Sequence, residues 1–321
     1  MADYRAPKTV IELTPEFRKA VVSFALNGTQ RAAVYGIARA SMVALQEYLN
    51  THFIDTLNRY QLAEYMRIQR DTEKFRHGLE GVVLFRNVPV TRNEELPDSP
   101  INAVGAKELE PQLILLTSML MMSALVEAAP NRGPTHILAA GGSNSDDGID
   151  YTQPLPYHVD DVLNRNRLEV GILGAVRGDP AAITYFIENE DVWSHLSDNA
   201  KCILQKDYFE LDEDNIPEKD FRQSEMKHKK FAIIDNQGFR FSAKVKAAAG
   251  AKFKSSQEAL DELHSAIQKA QTDQIGVKLK TGDVAMYRNN NVLHSRSNYN
   301  TQPGPKSRWL VRYLGGFAPR R

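Results

Sequence analysis

The chain is short of cysteine: Cys202 is the only one in 321 residues. A single thiol excludes an internal disulfide, a zinc-thiolate knuckle and an iron–sulfur cluster. Net charge is missing as well, with 40 Lys+Arg against 40 Asp+Glu. A neutral chain carries no electrostatic footprint for wrapping nucleic acid. Long apolar runs are also lacking. The most apolar stretch, Leu113 to Val126, is interrupted by Thr117, Ser118 and Ser123. It is too short to span a bilayer and suits a buried helix with Met119, Met121 and Met122 in the core. No apolar segment follows Met1 to Arg5 in the manner of a secretory leader. The expectation is a soluble protein of a reducing cytoplasm, with no membrane or nucleic-acid partner. No Ser-His-Asp or Cys-His order points to a nucleophile. For metal chemistry, only carboxylates and the eight histidines remain.

What is present is an ordinary globular composition, 42% hydrophobic and 25% charged. The first 75 residues read as helix. Thr14-Pro15-Glu16 resembles an N-cap followed by proline at the first helical position. Apolar residues then recur at helical spacing through Val34, Ile37, Met42, Leu45, Leu49, Leu57 and Tyr65. From Gly81–Arg86 onward, short apolar runs alternate with turn signals, interrupted by helices near Val192–Lys206 and Ser256–Ala270. This order predicts an α+β protein with a β-sandwich or barrel core. No low-complexity linker divides it. Residues 1–80 are expected as a helical N-terminal layer and residues 81–321 as the core of one integrated domain. The N-terminal helices would also offer a homodimer surface.

Two segments carry chemistry. In Tyr157-His158-Val159-Asp160, positions i and i+2 of a strand would put an imidazole and a carboxylate side by side. These are two thirds of a 2-His-1-carboxylate facial triad. The second segment runs from Gly282-Asp283 through Asn289 to Val292-Leu293-His294-Ser295-Arg296, and on to Arg308-Trp309-Leu310-Val311-Arg312. Arg308, Leu310 and Arg312 share one strand face, with Trp309, Val311 and Tyr313 on the other. Inward-facing arginines are costly unless each meets an anion, and they suit bidentate capture of carboxylates.

His158-x-Asp160, then His294 after 133 intervening residues, then Arg308 fourteen residues later, resembles the iron(II)/2-oxoglutarate-dependent oxygenases. The likeness is greatest to the clavaminate synthase-like, TauD/TfdA-related branch, which includes amino-acid hydroxylases. Positions 304 and 305 are Gly and Pro, so the shorter His-to-Arg spacing of taurine dioxygenase-like members is not available. The branch often has Glu where this chain has Asp160.

The resemblance implies a double-stranded β-helix (jelly-roll) core. It implies iron(II) held by His158, Asp160 and His294, and O2 and 2-oxoglutarate as co-substrates. Arg308 and Thr184 would hold 2-oxoglutarate, and Arg312 the substrate carboxylate. The expected activity is hydroxylation of an unactivated C–H bond in a free amino acid or similar small carboxylate, with release of succinate and CO2. The alternatives are a taurine dioxygenase-like enzyme on another anion, a desaturase or cyclase with the same chemistry, and a non-catalytic β-barrel binding protein. The loop Gly141–Asp150 would suit a substrate lid. His136 begins a strand before that loop, within reach of the site but not assigned to it, whereas His52, His77, His195, His228 and His264 are expected at the surface. Lys227–Lys230 reads as a guard on an edge strand. Cys202 is expected buried, as a small hydrophobe beside Ile203.

Overall fold

The computed structural model describes residues 4–26, 48, 51–90, 135–138, 153–160, 162, 167, 169–212, 229–300 and 307–315. Two facing sheets, each covered by helices on its outer side, organise them. The first sheet has six strands: β1 (Thr9–Glu12), β2 (Val82–Arg86), β3 (Thr135–Leu138), β5 (Val170–Arg177), β12 (Val284–Arg288) and β14 (Trp309–Gly315). Their spatial order is β1-β2-β12-β5-β14-β3. The second sheet has four: β4 (Leu155–His158), β6 (Thr184–Glu188), β11 (Ile275–Val277) and β13 (Val292–Arg296), in the order β11-β6-β13-β4. Within both sheets the pairs are antiparallel, except β1 with β2. Two short pairs, β7 (Phe209–Leu211) with β10 (Val245–Ala247) and β8 (Ile234–Asp235) with β9 (Gly238–Phe239), lie outside the two sheets.

Alternation along the strands builds three apolar clusters. On one face of the six-stranded sheet, Val83, Phe85, Ile172, Val284, Met286, Trp309 and Val311 pack against helix α1 (Pro15–Leu26), α2 (Arg59–Asp71) and α3 (Glu73–Arg76). On its other face, Leu84, Leu173, Ala285, Tyr287 and Leu310 meet Phe186, Val277 and Val292 of the four-stranded sheet. The outer face of that second sheet, through Ile187 and Leu293, packs on α4 (Asn189–Ser194), α5 (Asp198–Leu204) and α6 (Phe253–Ala270). The order is therefore helix, sheet, sheet, helix. The central strand β5, VGILGAVR, is buried along its whole length, as a strand covered on both faces requires.

Several expectations differ from what forms. Thr9–Glu12 is a strand, not helix, and pairs in parallel with β2. Its four residues are too few to show a period, and the pairing comes from a partner more than seventy positions away. The helix start at Thr14-Pro15 stands: the Thr14 hydroxyl accepts from the Phe17 amide at 3.3 Å. The helix expected over Val192–Lys206 is two, split at Ser197, whose hydroxyl caps the second by accepting from the Ala200 amide.

Cys202 is exposed, which corrects its expected burial. In α5 the buried residues are Ala200 and Leu204, four apart. Cys202 falls between them on the opposite face. His52, His77, His195 and His264 are exposed. The expected helix Leu113–Val126, the Gly141–Asp150 loop, His228 and the side chain of His136 lie outside the described residues. No described helix is long and apolar enough to cross a membrane.

Candidate metal centre

Strand register brings the two histidines together. β13 lies antiparallel to β4 with His294 directly opposite His158. A direct antiparallel pair projects both side chains to one face, and the imidazole rings stand 4.2 Å apart. Asp160 arrives differently from the expected strand alternation, because β4 ends at His158 and Asp160 sits in the turn beyond it. Its backbone is held instead by the buried side chain of Asn289. The Asn289 carboxamide accepts from the Asp160 amide at 2.8 Å and donates to the Asp160 carbonyl at 3.0 Å. This two-pronged bond substitutes for a strand ladder and aims the carboxylate at the histidines. The donor atoms of His158, Asp160 and His294 all lie within 4.8 Å of one another.

Charge at this cluster suits a cation. Burial opposes ionisation of Asp160, but His294, Arg312, His158 and the Tyr287 hydroxyl outweigh it and hold the carboxyl well below its usual range. Burial pushes His294 down to about 3, reinforced by the neighbouring His158, so its imidazole is neutral at pH 7. Burial lowers His158 as well. The Nδ1 of His158 lies 2.8 Å from the Pro156 carbonyl. A proton on that nitrogen leaves Nε2 with a free lone pair, the tautomer found in metal-ligating histidines. The result is two neutral imidazoles and one carboxylate, the chemistry of a divalent transition-metal site. The residues present fit such an ion.

The arginines take two different places. Arg308, just before β14, is 4% exposed, and its Nη2 donates to the Thr184 hydroxyl at 3.4 Å. Burial pulls this guanidinium below its ordinary value, with Tyr299 opposing. Its Nε has no hydrogen-bond partner among the described residues. A buried guanidinium of this kind is a seat for an anion. Thr184 stands opposite Arg296 of β13, inside the same sheet as the histidines. Arg312, half-buried, places Nη1 3.0 Å from Asp160 Oδ1. All six residues singled out from sequence thus surround one region between the sheets. Asn289 and Tyr287 belong beside them. Asn289 was visible in the segment leading to His294, without a role, and Tyr287 was not singled out.

Residues 211–314 match the family model described as "Taurine catabolism dioxygenase TauD, TfdA family". Solved structures match nearly the whole chain. The non-heme iron oxygenase OrfP in complex with Fe, succinate and (3S)-hydroxy-L-Arg is 17% identical, covering 97% of this chain and 95% of that one, with a TM-score of 0.72. Its complex with Fe and alpha-ketoglutaric acid gives 18% and 0.71. Asparagine oxygenase (AsnO) is 16% identical over 96% of this chain and 93% of that one, with a TM-score of 0.67. The chain shares the fold of these solved structures. No curated protein sequence matches it. Within this fold the His158–Asp160–His294 cluster lies on the four-stranded sheet and the adjoining turn, Arg312 comes from β14 of the facing six-stranded sheet, and Arg308 from the residue just before that strand.

Proposed function

We propose that the protein is an iron(II)/2-oxoglutarate-dependent oxygenase that hydroxylates a free amino acid or a similar small carboxylate. The observation that carries this reading is the convergence of His158, Asp160 and His294 within 4.8 Å, beside the buried Arg308–Thr184 pair. The two sheets read as the walls of a double-stranded β-helix. The described strands of the two sheets from β2 onward form its core, β1 adds an edge strand, and α1, α2 and α3 pack on it within one domain.

His158, Asp160 and His294 would hold iron(II). Bound iron supplies the oxidative chemistry, in which O2 and 2-oxoglutarate give succinate and CO2 while a substrate C–H bond is hydroxylated. The chain's own residues do the rest. Arg308 and the Thr184 hydroxyl seat the far carboxylate of 2-oxoglutarate by charge and hydrogen bonding. Arg312 meets the α-carboxylate of the substrate, four residues further along the same strand face. Asn289 holds the turn that carries Asp160. The apolar walls between the sheets exclude water from the reacting groups. OrfP and AsnO carry hydroxylated arginine and hydroxyasparagine in their complexes, which supports an amino acid as the substrate class.

Anaerobic addition of iron(II) and 2-oxoglutarate is expected to give a weak visible charge-transfer band, and His294→Ala is expected to abolish it. A wild-type protein without the band, together with unchanged behaviour of His294→Ala, would overturn the reading. The family model favours a second reading, a taurine dioxygenase-like enzyme acting on a sulfonate or other non-amino-acid anion. Substrate-dependent succinate release across a panel of amino acids and sulfonates separates the two.

A further inference from the structure

Tyr287 is fully buried near the end of β12, yet it carries a hydroxyl. A buried phenol needs a partner, and this one donates to Asp160 Oδ2. Its ring stands 4.7 Å from that of His294 and 5.3 Å from that of Phe186. On the other side, its register partner in β5 is Gly171. A Cβ on Gly171 would lie 2.1 Å from Tyr287 Cζ and 2.3 Å from its hydroxyl oxygen, a distance no real side chain tolerates. The ring therefore occupies space that exists because position 171 has no side chain. Packing alone explains an aromatic here, and Phe would fill the same volume. It does not explain a hydroxyl aimed at the carboxylate of the His158–Asp160–His294 set.

We propose that Tyr287 is a positioning residue for Asp160, fixing the orientation of its carboxylate within the metal-binding set, with Gly171 as the gap that admits the phenol ring. Asn289 holds the Asp160 main chain and Tyr287 holds carboxylate oxygen Oδ2, while Arg312 takes Oδ1, so backbone and Oδ2 are fixed by separate partners on one segment, residues 287–289. Hydrogen-bonding partners of this kind orient metal ligands and tune their donor strength. Neither Tyr287 nor Gly171 touches the reacting atoms; both act through Asp160.

The inference rests on the reading of this set as an iron site, and the test keeps the two separable. The probes are Co(II) titration, followed by its visible absorption, and the anaerobic iron(II)–2-oxoglutarate band, each on the full-length protein. Tyr287→Phe keeps the ring and removes only the hydroxyl. It is expected to weaken Co(II) binding by about tenfold and to shift the charge-transfer band, while the melting temperature stays near that of wild type. Gly171→Ala keeps the hydroxyl but displaces the ring, and is expected to weaken Co(II) binding in the same direction. Once the hydroxyl is gone, adding Gly171→Ala should weaken it little further, because both changes break one contact.

Wild-type affinity and an unshifted band in Tyr287→Phe would overturn the proposal while leaving the iron reading intact. A wild-type protein that takes up neither Co(II) nor iron(II) would overturn both. Should Gly171→Ala not fold, Tyr287→Phe decides alone.

Discussion

At the scale of single residues, the site depends on side chains whose charges are set by their neighbours. Arg308 is the sharpest case, because a buried guanidinium bonded to the Thr184 hydroxyl leaves donors for an anion. Arg308→Met is expected to raise the KM for 2-oxoglutarate by roughly 10- to 100-fold, the worth of charge-assisted hydrogen bonds of about 1.5–3 kcal/mol. Arg308→Lys should not restore it, since a point charge lacks the planar fork. Steady-state kinetics with varied 2-oxoglutarate measure both. Cys202 gives a simpler check. Exposed on α5, it should be alkylated in the folded protein with no loss of melting temperature. The residue types at the site were legible from the chain: two histidines, one aspartate and two arginines in a spaced order. Tyr287 was not, because a tyrosine in an apolar strand has many other uses, and Asn289 was legible as a member of the segment before His294 but not as the clamp on Asp160.

At the scale of elements, local signals explain starts and stops better than pairings. The α2 start carries a full capping box, with the Asn58 side chain accepting from Tyr60 and Gln61 amides and the Gln61 side chain accepting from the Asn58 amide. Asn58→Ala is expected to destabilise the fold by about 1 kcal/mol, read from the midpoint of denaturant unfolding at unchanged slope. The turn before β12 likewise needs Gly282, whose φ of +83° is strained for any side chain. Apolar runs bounded by turn residues mark the longer strands β2, β5 and β12 in the chain. β1, β7 and β10 escaped notice at three or four residues each. Their stability comes from partners distant in sequence, which no short window contains. The parity of β14 was legible, with Trp309 and Val311 toward the helices and Leu310 between the sheets.

At the scale of the whole molecule, an ion pair joins segments distant in sequence. Arg167 meets Asp235 of β8 with two bonds, 3.0 and 2.7 Å, and its guanidinium is almost wholly enclosed. Burial raises Asp235, but the Arg167 hydrogen bonds and charge outweigh it, so its carboxyl titrates below the ordinary value. A depressed carboxyl stabilises the fold above the unfolded-state value near 3.9, and that stability is lost as pH falls through the folded value. Asp235→Ala leaves Arg167 buried without its partner and is expected to cost about 3 kcal/mol at neutral pH. The gap from wild type should close as pH is lowered through the carboxyl range, measured by urea unfolding at a series of pH values. By itself, the sequence determined which residue types were available: a single thiol, balanced charge, and histidines with a carboxylate and arginines in order along the chain. Only the tertiary structure decided how they meet. His158 faces His294 through antiparallel register, Asp160 turns inward because Asn289 clamps its backbone, and Tyr287 reaches the same carboxylate across 127 positions. Local periodicity reports which face a residue takes within its own strand. Which strand lies opposite, and at what register, follows from burying three apolar clusters at once, and no single segment contains that information.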